Sequence, residues 1–296
     1  MISFLRKKIR FIIFFLLFII IGPLVVMYAN GDIFNGGGFL KTGGIFVRSS
    51  PIGSNIYINS KLNDSTGFFQ RDILIKNLKP GKYDVSVKKD GYNSWDKKII
   101  VTDNTVSEAN VFILPEKVDL REIPQKIASP DISTSSSTTK TKNNQEYKDI
   151  LSVFYDKNNI ASQNVLATTS ASIKKIGTKE FPIMNGKEGI WKEGGKVFVG
   201  WFGKENAEPQ YLCHGMDCSD SMFVFDLITV PTNLGFLPGY EGVIIVAFEN
   251  QVFAVQLEEN PDKGVQLIYK GKKPDFRIIN GAVYVKDGTY LAEVNI

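Results

Sequence analysis

Three hydrophobic patterns succeed one another along the chain. Residues 11–29, FIIFFLLFIIIGPLVVMYA, are nineteen in a row without a charge, and as a helix rising about 1.5 Å per residue they span roughly 28 Å, close to the hydrocarbon thickness of a bilayer. One membrane-spanning helix is predicted there. Gly22 and Pro23 lie inside it, and the missing proline N–H predicts a bend that a spanning helix tolerates. The pattern then changes to period two: Ile45 and Val47, Ile56 and Ile58, Tyr83, Val85 and Val87, Ile99 and Val101. Each group predicts a strand with one buried and one wet face. From residue 149 onward the apolar runs come in pairs: GIWKE and KVFVGWF around Gly194-Gly195, VIIVAF and VFAVQL around Glu249-Asn250, AVYVK and TYLAEV around Asp287-Gly288. These are hairpin signals; Glu249-Asn250 is the least typical, yet asparagine tolerates a positive φ, so a two-residue turn is feasible there.

The breaks between patterns divide the chain. Residues 1–10 form a short basic tail and 11–29 the anchor. Residues 30–43, NGDIFNGGGFLKTG, hold two isolated apolar pairs among glycines and read as a flexible stalk. Their glycine run lacks the strand, helix, Lys and Ser or Thr of a phosphate-binding loop. Residues 116–148 read as a linker, because nine of the fourteen positions from Ser129 to Lys142 are Ser or Thr and only Ile132 is aliphatic. Residues 44–115 and 149–296 both read as all-β: the first, with six strands, as a small two-layer β-sandwich, the second as a chain of hairpins.

Within 44–115 the turns carry a specific signature: Ser49, Pro51 and Gly53, then Leu78, Pro80, Gly81 and Tyr83, then Gly91, Tyr92 and Trp95. This part of the chain resembles the PEGA domain. The chain departs from that pattern at Ser65, Thr66, Gly67 and at Lys79 to Lys82, both in turns that other residues can make. The resemblance implies a non-catalytic surface module on an anchored or secreted bacterial or archaeal protein. Tyr83, Tyr92 and Trp95 have two readings, a platform stacking on carbohydrate and the filling of a small core; the core is favoured because small domains draw much of their buried area from a few large aromatics.

Residues 149–296 are similar to β-propeller blades, and NLGFLPG before the second hairpin matches DFRIING before the third, as a repeat would. At about 40 to 45 residues per blade the segment supplies three to four blades, so the expectation is a short or incomplete propeller-like domain. Exposed strand edges would then invite homo-oligomerisation.

Charge adds direction. Arg6, Lys7, Lys8 and Arg10 account for the net charge of +4 and leave a neutral body without the basic face that nucleic acid requires. With these cations before the apolar run, the positive-inside rule places the bulk of the chain outside the cytoplasm, and ten residues are too few for an output domain. A cleaved signal peptide is the rival. It fits poorly, because the apolar run exceeds 15 residues and Met27, two before Ala29, is not small. No Cys lies near for a lipoprotein anchor.

The remaining chemistry is sparse. Cys213 and Cys218 in LCHGMDC are the only cysteines, and outside the cytoplasm a disulfide is the natural reading. The competitor is a metal held by Cys213, His214 and Cys218 with Asp217 or Asp220, a set too compact for easy tetrahedral geometry. His214 is the only histidine, and G-x-S-x-G, H-E-x-x-H and P-loop motifs are absent. No catalytic residue, cofactor or metal is therefore assigned. Trp95, Trp191, Trp201 and Tyr240 are the candidate aromatic contact residues. The expected function is a membrane-anchored extracytoplasmic structural or binding module of the cell envelope. Its partners are lipid through 11–29 and a cell-wall polymer or envelope protein. The alternative is a surface glycosidase using two carboxylates of the C-terminal domain, which a cleft with paired acids ringed by Trp191, Trp201 or Tyr240 would favour.

Overall fold

A computed structural model of the chain describes residues 2–29, 33–34, 39–125, 137–155, 183–205, 207–214, 217–226, 231–258 and 264–296. They form two compact units, Met1–Ile113 and Leu114–Ile296.

The first unit opens with helix α1, Ile2–Ala29, which includes Pro23. Its described side chains, residues 10–26, are almost all exposed; Phe11 and Phe14 are each 74% accessible. Those seventeen positions alone are short for a bilayer, and among the described residues no helix is long and apolar enough to cross one. Within the expected stalk, β1 (Ile33–Phe34) and β2 (Phe39–Leu40) pair antiparallel. The two apolar dipeptides are therefore not simple tether.

The rest of the unit has seven strands: β3 (Gly43–Ser50), β4 (Asn55–Ile58), β5 (Lys61–Ser65), β6 (Asp72–Leu78), β7 (Gly81–Lys88), β8 (Trp95–Val101) and β9 (Val106–Phe112). They make two sheets, β6-β3-β9 and β5-β4-β7-β8, with β3 and β9 running parallel. Ile45, Val47, Ile56, Val85 and Val87 are fully buried, as their alternation predicts. The strand beyond the six expected follows from β5, exposed at every position, so no alternation marks it. Trp95 lies in the core at 4% exposure, with Tyr83 and Tyr92 packed against it. The core reading of these aromatics holds, and Trp95 is withdrawn as a contact residue.

The second unit is three four-stranded antiparallel sheets. The expected linker 116–148 contributes to it: β10 (Asp119–Glu122) and helix α2 (Ser137–Tyr155) are ordered parts of the unit. The first sheet has β11 (Ile183–Asn185), β12 (Glu188–Glu193) and β13 (Lys196–Trp201). A small hairpin, β14 (Cys213–His214) with β15 (Asp217–Cys218), precedes its fourth strand, β16 (Ser221–Asp226). The second sheet runs β17 (Asn233–Phe236), β18 (Val243–Ala247), β19 (Gln251–Gln256) and β20 (Val265–Lys270). The third has β21 (Asp275–Ile279), β22 (Ala282–Asp287) and β23 (Tyr290–Asn295), and β10 completes it by pairing with β23. All three expected hairpins form. The Glu249-Asn250 turn forms without a positive φ at Asn250 and is closed by a hydrogen bond from Phe248 N–H to Gln251 O.

Apolar contact joins these sheets. Ile190, Val197 and Val199 of the first pack in one cluster with Leu234, Ile244 and Val246 of the second. Asn233 Nδ2 donates to Asp275 Oδ1 at 3.1 Å and Phe276 O at 2.7 Å, tying β17 to β21. Leu114 N–H donates to Gln266 Oε1 at 2.6 Å, so the unit's first residue is held on the second sheet. Helix α2 covers the third: Tyr147 and Ile150 bury with Ile123 and Leu291, and Phe154 lies 5.1 Å from the Arg277 guanidinium.

Candidate functional site

The turns that leave β11, β17 and β21 meet around an open cavity of about 730 Å³. They are the same position in three repeats: Met184-Asn185-Gly186, Leu237-Pro238-Gly239 and Ile279-Asn280-Gly281, and all of these residues but Gly186 line the cavity. Asn280 and Gly281 show how the chain makes such a turn. With φ of 52° and 79° they reverse the strand in two residues, a conformation asparagine and glycine tolerate where branched side chains do not. Val153 of α2 closes part of the wall.

Three chemical features mark the cavity. Glu188, the first residue of β12, shares it with Glu241 of the β17–β18 connection, and Tyr240 stands beside them. Glu188 is held in place: Tyr211 Oη donates to its Oε1, and Asn185 Nδ2 donates to its Oε2 at 3.3 Å. Burial pushes the Glu188 carboxyl above the usual range and the Glu241 charge adds to this, although the Tyr211 and Asn185 hydrogen bonds oppose it. Burial likewise raises the Tyr211 phenol, helped by the neighbouring Glu188 carboxylate, so Tyr211 stays a donor. Among the described residues lining the cavity none is Lys, Arg or His.

Tyr211 is itself positioned from two sides. A Cβ at Gly242 would come within 3.1 Å of its ring, and with φ of 66° that glycine cannot be replaced without strain, so the bare backbone lets the ring lie close. On the other side, Tyr211 precedes the β14–β15 hairpin, where Cys213 and Cys218 face each other and are joined as a disulfide. The bridge takes both thiolates from the metal reading of that loop, whose His214 side chain lies outside the described residues. Among the described residues no group of three His, Cys, Asp or Glu side chains could hold a metal ion.

The aromatic candidates separate. Only Tyr240 lines the cavity. Trp191 is 4% exposed, stacked on Phe198 at 5.8 Å and edge-on to Phe202 at 6.1 Å. Trp201 packs on the core and donates its indole N–H to Lys204 O at 2.9 Å. Trp191 is a core ring, and Trp201 is half-buried against the core outside the cavity lining. Glu188, Glu241 and Tyr211 were not singled out by sequence. The signal that could have found Glu188 is the third copy of the turn, at Met184-Asn185-Gly186, two residues before it.

The chain matches the PEGA domain family over residues 42–116, roughly a quarter of its length. No curated protein matches the chain.

Proposed function

We propose that the chain is a membrane-anchored binding module of the cell envelope, with its bulk outside the cytoplasm and no catalytic role. The observation that carries this reading is α1, a 28-residue helix of about 42 Å whose described apolar side chains from Phe11 to Val26 have no protein to pack against. Lipid satisfies such a surface and water does not. Arg6, Lys7, Lys8 and Arg10 at its start favour an inside N-terminus. The Cys213–Cys218 disulfide agrees with an oxidising compartment. The PEGA match supports a surface module, and three four-stranded antiparallel sheets, the last completed by a strand from earlier in the chain, support a short propeller-like domain. The cavity among their first strands is the binding face.

Protease added to intact cells is expected to remove both β units and leave a short protected fragment containing residues 11–29. Native material beginning near residue 30, or β units untouched by the protease, would overturn the reading.

One observation favours a second reading: Glu188 and Glu241 line a single open cavity with Tyr240, as a two-carboxylate glycosidase would need. Against it, both oxygens of Glu188 already accept hydrogen bonds, and neither Trp191 nor Trp201 is present to stack on a sugar. Release of reducing ends from cell-wall polysaccharide, abolished by Glu188→Gln, would establish the enzyme.

A further inference from the structure

The lining of the cavity selects a ligand class. Its size, about 730 Å³, is that of a pocket for an organic molecule and far exceeds a bare ion. Part of the wall is apolar, with Phe236, Pro238 and Ile279 contributed by the second and third sheets, and the rest is polar. Among the described lining the carboxylates are Glu188, half-buried and anchored by Tyr211, and Glu241, exposed, and no basic residue answers them. Two like charges facing a common space with low-dielectric walls leave a negative potential there, which a cation relieves and an anion worsens. A neutral sugar would use the amides of Asn185 and Asn280 but would leave that potential uncompensated. A metal would need more ligands than two carboxylates, and no such cluster occurs among the described residues.

We infer that the cavity at the ends of β11, β17 and β21 binds an organic ammonium ion: a primary amine on an alkyl chain, with the ammonium between Glu188 and Glu241 and the chain along Phe236, Pro238 and Ile279. This rests on the reading of the chain as a binding module and names the class of ligand that module takes. Glu188 provides the fixed carboxylate, because Tyr211 and Asn185 determine where its oxygens lie. The rim carboxylate of Glu241 gives access and attraction from solvent.

The test is isothermal titration calorimetry on the full chain in detergent micelles with 1,5-diaminopentane, compared with 1,5-pentanediol and with calcium chloride. One saturable site for the diamine is expected. The affinity should fall at least tenfold in Glu188→Gln and in Glu241→Gln, while the diol and calcium give no saturable heat. Glutamine keeps an acceptor for Tyr211, and Glu241 is exposed, so at least the second variant folds; circular dichroism verifies both. The inference is overturned if the diol binds as well as the diamine, if calcium occupies the site, if nothing binds at millimolar concentration, or if the variants bind the diamine unchanged. Because the titration uses purified chain, its failure is separate from that of the topology experiment: an inward-facing chain that still bound the diamine would sink the envelope reading alone.

Discussion

Replacement of Ile123 by Ala tests whether the stretch after the sandwich is an integral part of the second unit. Ile123 is 2% exposed and buries against Tyr147, Ile150 and Leu291, so its side chain joins β10, α2 and the third sheet. Its N–H donates to Leu291 O at 2.8 Å, a bond the substitution leaves in place, which isolates the packing contribution. Truncation removes three carbons, worth about 2.4 kcal/mol of transfer free energy, and the unfilled space brings the cost to roughly 3 kcal/mol. For a unit of this size that lowers the midpoint of thermal unfolding by roughly 6–12 °C. Urea titration of the full chain in detergent, followed by the fluorescence of Trp191 and Trp201 in a Trp95→Phe background, reads the second unit by itself. Arg121→Ala is the control: its side chain is half-exposed and pairs with Glu293 and, at 2.9 Å, with Glu146, so its loss costs under about 1 kcal/mol. A shift below about 0.5 kcal/mol for Ile123→Ala would mean that residues 116–123 are only a connector, and the closure of the third sheet by β10 would be refuted.

Cys213→Ser with Cys218→Ser should lower the stability of the second unit by about 2 kcal/mol, and dithiothreitol should shift the urea midpoint of the wild type but not of the variant. Glu188 has its carboxyl raised in the folded state by burial first and by Glu241 second, so the stability it contributes is complete below the ordinary glutamate range and is lost as pH rises through the raised value. Glu188→Gln should therefore be less sensitive than wild type to a change from pH 4 to pH 7 and more stable at pH 7; parallel urea curves for the two proteins would contradict this. Asp287 accepts from the N–H groups of Lys272 at 2.8 Å and Lys273 at 2.9 Å and from Tyr269 Oη at 3.3 Å. Burial raises its carboxyl, but these donors outweigh it and the net direction is down, so its contribution is lost as pH falls through the lowered value. Asp287→Ala should cost about 2 kcal/mol at pH 7, with a smaller difference from wild type in acid; an equal difference at both would refute the assignment.

The parts of the fold that were legible are those where one face is dry. Ile45 and Val47, or Val283 and Val285, alternate with wetter neighbours, and both pairs are buried. β5, solvated along its length, leaves no such trace. β10 was hidden for a different reason: DLRE is polar, and its place in the third sheet depends on pairing with β23 across more than 170 residues, which no local pattern reports. The serine- and threonine-rich start of α2 reads as linker because those side chains compete with the helix backbone, yet QEYKDILSVFY at its end carries the apolar positions that dock. Of the site, Tyr240 was singled out only as an aromatic. Glu188 and Glu241 lie 53 positions apart, and sequence spacing says nothing of two carboxylates brought to one cavity by the turns of different sheets.

The disulfide and the cavity are one argument rather than two. The Cys213–Cys218 hairpin is inserted between the third and fourth strands of the first sheet, where an ordinary meander needs only a short turn. Gln210–Leu212 lead directly into it, and Leu212 is 5% exposed while Tyr211 reaches Glu188. Ser219 N–H donates to Leu212 O at 2.9 Å, so the far side of the bridged loop returns to the same point. The bridge restricts this loop, and the phenol next to it donates to the Glu188 carboxylate in the cavity lining. An insertion that did no more than connect two strands would not need a crosslink at its base. Placed here, the crosslink makes the geometry of Glu188 depend on the redox state of the Cys213–Cys218 pair, so the site is expected to be sensitive to reductant.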